Sequence, residues 1–385
     1  MKREAALESL TGAIIAICRS GLPPDALRAR VFSRLRRAVP FDAAFWATVD
    51  PATLLFTGPH QEEIPPGTIP YFVQNEFIDD DVNKWTALVR DRAGVRTMAE
   101  ATAGEMEASP RYRDIFQPLG LGDELRAVLR VGDACWGYLC LHRAAGADFS
   151  SQDVRYVRRL APHLAEAIRA GLLASLAGPA HPDLAAAHPD PLAGPAPLAD
   201  APGLVLMAPD GSFISTTAAG ERWLDELGHV RPERDSLPME FLALAATLSR
   251  PDTTEAALPR LRIRTRTGRW AALHASRLTT EGTPAIAVII EAPSPAELAP
   301  ILMMAYGLSP QEQVITMLVC RGLSTREISG RLYITVNTVQ DHLKSIFDKT
   351  GVHSRRELVA AILQEQYLPR ARTGQPIGPS GFFTE

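Results

Sequence analysis

Three capping sequences near the C-terminal end constrain the fold of this chain more than any other feature. A serine is followed three residues later by a glutamate in Ser309–Glu312, Ser324–Glu327 and Ser354–Glu357. Such a pair begins a helix, because each side chain accepts a hydrogen bond from the other residue's backbone N–H. Gly322 and Gly351 follow helix-length runs and suit the left-handed residue after a helix. The sequence therefore predicts short helices with short connections.

A fourth helix start lies at Thr335, whose neighbours Ile334 and Val339 have the spacing of a hydrophobic staple. The short helix before it and the tight connection between them are typical of a helix-turn-helix, whose second helix enters the DNA major groove. Apolar spacing predicts these inward side chains: Val314, Met317, Leu318, Ile328, Leu332, Val339, Leu343, Ile346, Leu358, Ala361 and Ile362.

This C-terminal sequence resembles a LuxR-type helix-turn-helix. The resemblance is carried by the segments 308–312, 322–329, 338–344, 349–352 and 355–359. Two positions depart from the family pattern, which often has arginine at Gln311 and lysine at Gln340. Together with the caps, the resemblance indicates an all-α four-helix DNA-binding domain over residues 308–368. The sequence after it is rich in glycine and proline and is predicted to be a flexible tail over 369–385.

The helix at about 336–349 is predicted to read DNA. The amide of Gln340 can pair bidentately with adenine, and Lys344 can reach a guanine or a phosphate. The predicted base contacts are Asn337, Thr338, Gln340, Asp341 and Lys344. Contacts to phosphate, which position a protein without reading sequence, are predicted for Ser324, Thr325, Arg326 and Lys349.

The charge of the chain favours DNA binding as a homodimer. The formal net charge is −4, so any DNA contact needs a local basic patch. Residues 321–350 hold five Lys or Arg against three Asp or Glu, a net charge of +2. Two copies would double the phosphate contacts of one. We expect half-sites about one DNA turn apart and dimer contacts through Val359, Ile362 and Leu363.

Proline divides the rest of the chain. Seven prolines lie between residues 179 and 202, a density that prevents regular helix or a central strand. Residues 175–202 are therefore predicted to be a Pro/Ala-rich linker. It separates segments 1–174 and 203–293, and a connector over 294–307 leads to the C-terminal domain. The predicted fold class is multidomain α+β.

The first segment alternates helix-like and strand-like runs and is predicted to be an α+β domain. Trp136–Leu141, followed by Phe149 to Leu173, resembles a GAF domain. The resemblance implies a signal-sensing pocket or a dimerisation platform. Trp46, Trp85 and Tyr138 are candidate pocket residues, and packing in an ordinary core is their alternative role.

The middle segment is β-rich, with a turn at Pro209–Gly211 and a hairpin around Thr267-Gly268. Its order of elements looks like a small PAS-like domain, another sensor module. A β-rich spacer without a sensing role is the alternative.

Other motifs are missing from the sequence. The four cysteines show no CxxC pair and the nine histidines no HExxH, so we expect neither a disulfide frame nor a metal site. No P-loop or GxSxG is present, and we predict no catalytic residue and no cofactor. The first ten residues do not read as a signal peptide, and no apolar run could span a bilayer.

These patterns predict a cytoplasmic, bacterial, homodimeric DNA-binding transcription regulator with N-terminal sensor domains. Its expected partners are double-stranded DNA, a small-molecule ligand of unknown identity and RNA polymerase, with no membrane. The alternative is a signalling or scaffold protein whose helical domain binds protein rather than DNA. An enzyme hidden in the first segment would need a metal or nucleophile constellation that the sequence does not show.

Overall fold

In a computed structural model of the 385-residue chain, the structure describes residues 2–177, 201–228, 237–248, 259–280 and 283–363. The described residues fall into two compact units, one within the ranges 1–171 and 200–292 and one within the ranges 172–199 and 293–385. Most of the predicted linker (175–202) and the whole predicted tail (369–385) lie outside the described residues. None of the helices within the described residues has the length and apolar character that crossing a membrane requires.

The first unit begins with a five-stranded antiparallel sheet. Its elements are α1 (Lys2–Cys18), α2 (Pro24–Ala38), β1 (Ala43–Val49), β2 (Phe56–Glu62), α3 (Ile69–Phe77), α4 (Trp85–Arg90), β3 (Val95–Thr97), α5 (Met98–Ala101), β4 (Leu121–Val131), β5 (Ala134–Ala144) and α6 (Ser151–Ala177). The strand order is β2-β1-β5-β4-β3.

Both faces of this sheet are covered, because alternate side chains of each strand point to opposite sides. On β1, Ala44 and Trp46 join the core that contains α1, α2 and α6. Phe45 and Ala47 join a second core on the other face, together with residues of α3 and α4. The sheet is therefore buried on both sides.

A second five-stranded antiparallel sheet follows in the same unit. Its elements are β6 (Gly203–Met207), β7 (Phe213–Thr216), α7 (Ala218–Leu227), α8 (Met239–Leu248), β8 (Arg260–Arg264), β9 (Trp270–Thr280) and β10 (Thr283–Glu291). The order is β7-β6-β10-β9-β8, so in both sheets the first and last strands are paired at the centre.

The two sheets share one hydrophobic core. Side chains of both belong to the same buried cluster, and α8 packs against α3. Asp50, just after β1, accepts hydrogen bonds from the guanidinium of Arg262 on β8 at 2.6 and 2.8 Å. The segments that the linker separates along the chain thus form one compact unit.

The second unit is helical. It contains α9 (Pro295–Ala305), α10 (Pro310–Cys320), α11 (Thr325–Leu332), α12 (Val336–Thr350) and α13 (Arg355–Leu363). Together with the two antiparallel sheets, it confirms the predicted fold class of an α+β chain with an all-α C-terminal domain.

The caps explain where these helices begin. Full capping boxes form at Ser309 with Glu312 and at Ser324 with Glu327. At the third predicted box, the hydroxyl of Ser354 accepts from the backbone of Glu357, but the Glu357 carboxylate accepts from the backbone of His353. The local pattern therefore fixes all three helix starts.

Two details of the helical core differ from expectation. Val314 was predicted to face inward but is 44% exposed, whereas its neighbour Ile315 is fully buried. The predicted connector contains α9, whose Ala299 and Met303 belong to the core of this domain. The domain therefore has α9 as a fifth helix. The buried side of α10 is shifted by one residue from the side expected for four helices, so that Ile315 rather than Val314 faces the core.

Candidate functional site

A small cavity lies beside the first of the two sheets of the first unit, next to α3 and α8. Its volume is about 40 Å³, and its lining includes Phe45, Phe72, Trp85 and His142 together with Met239 of α8. Apolar side chains supply most of the wall surface, and polar or charged side chains complete it: Gln61, Glu76, Glu124, Arg126 and His142. A water molecule needs roughly 10–15 Å³ of such space, so the cavity has room for about two or three waters or for the end of a small group.

The three predicted pocket residues do not lie together. Trp85 lines the cavity, and the ring of Tyr138 stacks on it with centroids 4.3 Å apart. Trp46 packs edge-on against Phe32 on the opposite face of the sheet. The prediction was wrong for Trp46, since odd and even positions of β1 face opposite ways.

A buried ionic network forms one wall of the cavity. The carboxylate of Glu124 accepts hydrogen bonds at 2.9 Å from Arg111 through one oxygen and at 2.9 Å from Arg126 through the other. Arg126 also bonds to Glu76 at 2.6 Å and lies over the Trp85 ring, 4.6 Å from its centroid. Each charge is paired, which buried ions require.

Cys140 and His142 extend this network. The Sγ atom of Cys140 lies 3.1 Å from Oε1 of Glu124 and 3.3 Å from Nε2 of His142. Burial raises the pKa of Glu124, but Arg111 and Arg126 outweigh it and lower the pKa to about 2. Burial lowers the pKa of His142 to about 4 and raises that of Cys140 well above its usual value. At neutral pH the carboxylate is therefore charged, while imidazole and thiol are neutral.

In the second unit, the turn between α11 and α12 is held by local hydrogen bonds. Tyr333 ends α11 in the left-handed region, with φ of 55°. The backbone N–H of Ile334 then donates to the carbonyl of Ser329 at 3.2 Å. Thr335 caps α12, its hydroxyl accepting from the N–H of Thr338 at 3.1 Å. These bonds fix the direction in which α12 leaves the turn.

One side of α12 is buried and the other is exposed. Val339, Leu343 and Ile346 join the domain core. The exposed side carries Asn337, Gln340, Asp341 and Lys344. These positions are three or four residues apart, so they form one face of the helix. Thr338 is half-buried, with its hydroxyl 2.8 Å from that of Thr335.

An ion pair clamps α12 to α10. The carboxylate of Glu312 accepts hydrogen bonds from the ammonium of Lys349 at 2.6 Å and from the hydroxyl of Ser345 at 2.7 Å. Burial raises the pKa of Glu312, but Lys349, Ser345 and Ser309 outweigh it and lower the pKa to about 2. A capping residue thus also positions the exposed helix.

Comparison with known proteins identifies this domain. Residues 307–362 match the family described as bacterial regulatory proteins, luxR family. The C-terminal domain is a LuxR-type helix-turn-helix. Over 53 residues (14% of this chain, 6% of the relative), the chain is 42% identical to an HTH-type transcriptional regulator of Mycobacterium bovis. Over 72 residues (19% and 28%), it is 38% identical to response regulator Rre1 of Synechocystis sp.. The chain thus spans less than a third of either relative.

Two solved structures are similar over longer stretches. Escherichia coli SdiA has a TM-score of 0.32 and 10% identity, covering 93% of this chain and 98% of its own. A GAF domain of a phosphoenolpyruvate-protein phosphotransferase from Coxiella burnetii has a TM-score of 0.30 and 19% identity, covering 44% and 99%. Because both TM-scores are low, the fold of the first unit is described by its own strand order.

The residues predicted to contact phosphate differ in whether their side chains are already bound to other residues of the LuxR-type domain. Arg326 is exposed, and Ser324 caps α11. The hydroxyl of Thr325 accepts from Arg355 at 2.9 Å, and Lys349 is held by Glu312. The clamps made by Glu312 and Arg355 join residues 37 and 30 positions apart. Neither pair could be predicted from the sequence, because residues so far apart along the chain follow no local pattern.

The predicted dimer contacts on α13 of the LuxR-type domain need correction. Ile362 is fully buried in the core that contains Ala299 and Met303 of α9. It therefore has no free surface for a second copy. Val359 is half-buried and packs against the same core. The side chain of Leu363 lies outside the described residues.

Proposed function

We propose that this chain is a bacterial transcription regulator that binds double-stranded DNA through α12 of its LuxR-type domain. The observation that carries the proposal is the exposed polar face of α12, held by caps and by the Glu312 clamp in a domain that matches the LuxR family. Asn337, Gln340, Asp341 and Lys344 supply donors and acceptors that suit base edges in the major groove.

The proposed DNA-binding form is a homodimer in the cytoplasm. One domain offers few free cations, so a single copy would bind weakly, and two copies on half-sites about one turn apart would combine their contacts. Of the predicted dimer residues, Val359 retains exposed surface. Contact with RNA polymerase would then follow from binding at a promoter.

The first unit is proposed to receive the signal. Its cavity is enclosed by aromatic side chains of the first sheet and α3 and also by Met239 on α8 of the second. A molecule that enters would contact both sheets at once. A small ligand could thereby change the packing of the whole unit, which is the kind of two-state change that regulation needs.

The test is selection of genomic DNA by the purified full-length protein, followed by competition among variants of the selected site. The wild-type protein should prefer its site over a scrambled duplex of equal length. Equal binding to both would overturn the proposal, because LuxR-type reading requires contact with base edges.

Gln340→Ala tests the base reader. The variant should relax preference at one base pair by about 1–3 kcal/mol, because one amide pair to a base edge is lost. The matched control is Gln311→Ala, which removes an exposed glutamine on α10. The control should keep the wild-type preference. If both variants keep it, Gln340 does not read a base.

A further inference from the structure

Three side chains of metal-ligand type meet on the cavity side of the first sheet. Glu124 on β4 is paired in register with His142 on β5, and Cys140 precedes His142 by two residues and shares its face. One ligand atom from each, carboxylate oxygen, thiol sulfur and imidazole nitrogen, lies within 4.8 Å of the other two. All three residues are buried.

We propose that Glu124, Cys140 and His142 bind a zinc-class transition-metal dication. Around tetrahedral Zn²⁺, bond lengths of about 2.0–2.3 Å place neighbouring ligand atoms roughly 3.4–3.6 Å apart. The Sγ atom of Cys140 already lies 3.1 Å from the Glu124 oxygen and 3.3 Å from the His142 nitrogen. An ion would therefore need these atoms to separate by only about 0.5 Å or less.

The mixture of donors selects the class of metal. A thiolate and an imidazole favour zinc, iron, cobalt or copper over magnesium or calcium, which prefer oxygen. With three protein ligands, a fourth position stays open toward the cavity of about 40 Å³. A water molecule needs roughly 10–15 Å³ of such space. The cavity can thus supply a water, or a ligand atom of a signal molecule, to the ion.

The two arginines are compatible with a cation at this place. Arg111 and Arg126 hold the oxygens of Glu124, as partners of a ligating carboxylate do. With Glu76 and Asp81, this hydrogen-bonded set has three carboxylates against two guanidiniums, one net negative charge. Lys84 and Asp79 at its edge add one charge of each sign.

Metal binding would complete this charge balance. The thiol of Cys140 loses its proton to water, a sulfur–metal bond forms, and His142 binds as neutral imidazole. The dication and the thiolate together add one positive charge, which cancels the net charge of the set. One proton is released for each ion bound.

The sequence alone did not predict this site, because Glu124 lies 16 residues from Cys140 and belongs to another strand. The signal that could have found it is Cys-x-His on a strand, which places both side chains on one face. The β4–β5 register then brings the carboxylate to them.

The experiment uses full-length protein stripped of metal with a chelator and titrated with Co²⁺ in the absence of oxygen. We expect one Co²⁺ per chain, a thiolate-to-cobalt charge-transfer band and intense visible bands of a tetrahedral site, all displaced by Zn²⁺. Cys140→Ser should abolish the charge-transfer band. The matched control is Cys135→Ser, another buried cysteine of β5, whose sulfur lies near the carbonyl of Gly137 instead; this variant should keep the band.

A measurement on the unaltered protein covers the case in which Cys140→Ser fails to fold. X-ray absorption of the zinc-loaded protein should show one sulfur and otherwise nitrogen or oxygen neighbours. No tight binding, no sulfur neighbour, or a charge-transfer band that survives in folded Cys140→Ser would overturn the proposal. DNA selection by the LuxR-type domain is a separate readout, so failure here leaves the proposed function standing.

Discussion

The carboxylate of Glu312 accepts hydrogen bonds from the backbone of Ser309, the hydroxyl of Ser345 and the ammonium of Lys349. The first bond begins α10, and the other two fix α12 against it. One side chain therefore connects the start of one helix with the placement of α12, the helix proposed to read DNA. Its loss should affect α12 more than a lost cap alone would.

Glu312→Gln tests this connection through pH. The folded pKa of about 2 lies below the ordinary value of 4.5, so the carboxylate stabilises the domain fully above about pH 4.5. That stability is lost as pH falls toward 2. The protection factors of the α12 amides, which correct exchange rates for the intrinsic slowing of exchange in acid, should therefore fall over this range in the full chain, and in the variant they should already be lower at neutral pH.

The control for this experiment is Glu327→Gln, which removes a capping carboxylate that is exposed and caps α11 only. Its effect on α12 exchange should be much smaller. Equal effects of the two variants would show that capping, rather than the clamp to Lys349 and Ser345, is what Glu312 contributes.

At the scale of elements, the turn between α11 and α12 holds an unusual residue. Tyr333 has φ of 55° and the residue is 96% exposed, so packing does not compensate its strained backbone. Left-handed backbone costs a non-glycine residue about 1–2 kcal/mol. The strain lies directly before α12.

Comparing Tyr333→Gly with Tyr333→Ala isolates that strain, because both variants remove the ring and only glycine relieves the backbone. The glycine variant should be the more stable by about 1 kcal/mol. Hydrogen exchange of α11 and α12 in the full chain measures the difference. Equal protection in the two variants would mean that the turn is not strained.

Local and long-range features differed in how far the sequence could predict them. Helix starts at Ser309, Ser324 and Thr335 follow from residues within four positions, and the structure has all three. The side of the sheet that Trp46 faces depends on which helices, far away in the sequence, cover each side of β1. Likewise, Ile362 is buried by α9, a helix that the sequence marked only as a connector.

The ion pair of Asp50 and Arg262 joins the two sheets of the first unit. Asp50 has no exposed side-chain area, and Arg262 is 12% exposed. Removal of Asp50 takes away the hydrogen bonds that its carboxylate accepts from the Arg262 guanidinium, and a hydrogen bond to a charged group contributes about 1.5–3 kcal/mol. Asp50→Ala should therefore destabilise the unit by this amount.

Urea unfolding followed by tryptophan fluorescence measures this loss, since all five tryptophans lie between residues 46 and 270. Asp25→Ala is the control, because Asp25 pairs with Arg28 but its side chain is 89% exposed. Its effect should be near zero. A similar small effect for Asp50→Ala would show that the sheets do not depend on this pair.

At the scale of the whole molecule, the proposed binding of DNA must overcome a net charge of −4. Within residues 321–350, the exposed cations that are not held in an ion pair are Arg321, Arg326, Arg331 and Lys344. If each neutralises one phosphate, log K against log salt should fall with a slope of about −4 for one domain and about −7 for two. The slope therefore reports how many domains bind.

Two lysines allow this count to be checked in the full chain. Lys344→Gln should reduce the slope of the dimer by about 2, one phosphate contact per domain. Lys349→Gln should leave the slope unchanged, because the Lys349 ammonium is bound to Glu312 rather than to DNA. The same substitution should make the domain less stable, because that ion pair is lost. Equal changes in both variants would mean that Lys349 leaves Glu312 for a phosphate, as the sequence predicted. Fluorescence anisotropy over a salt series decides between the two roles.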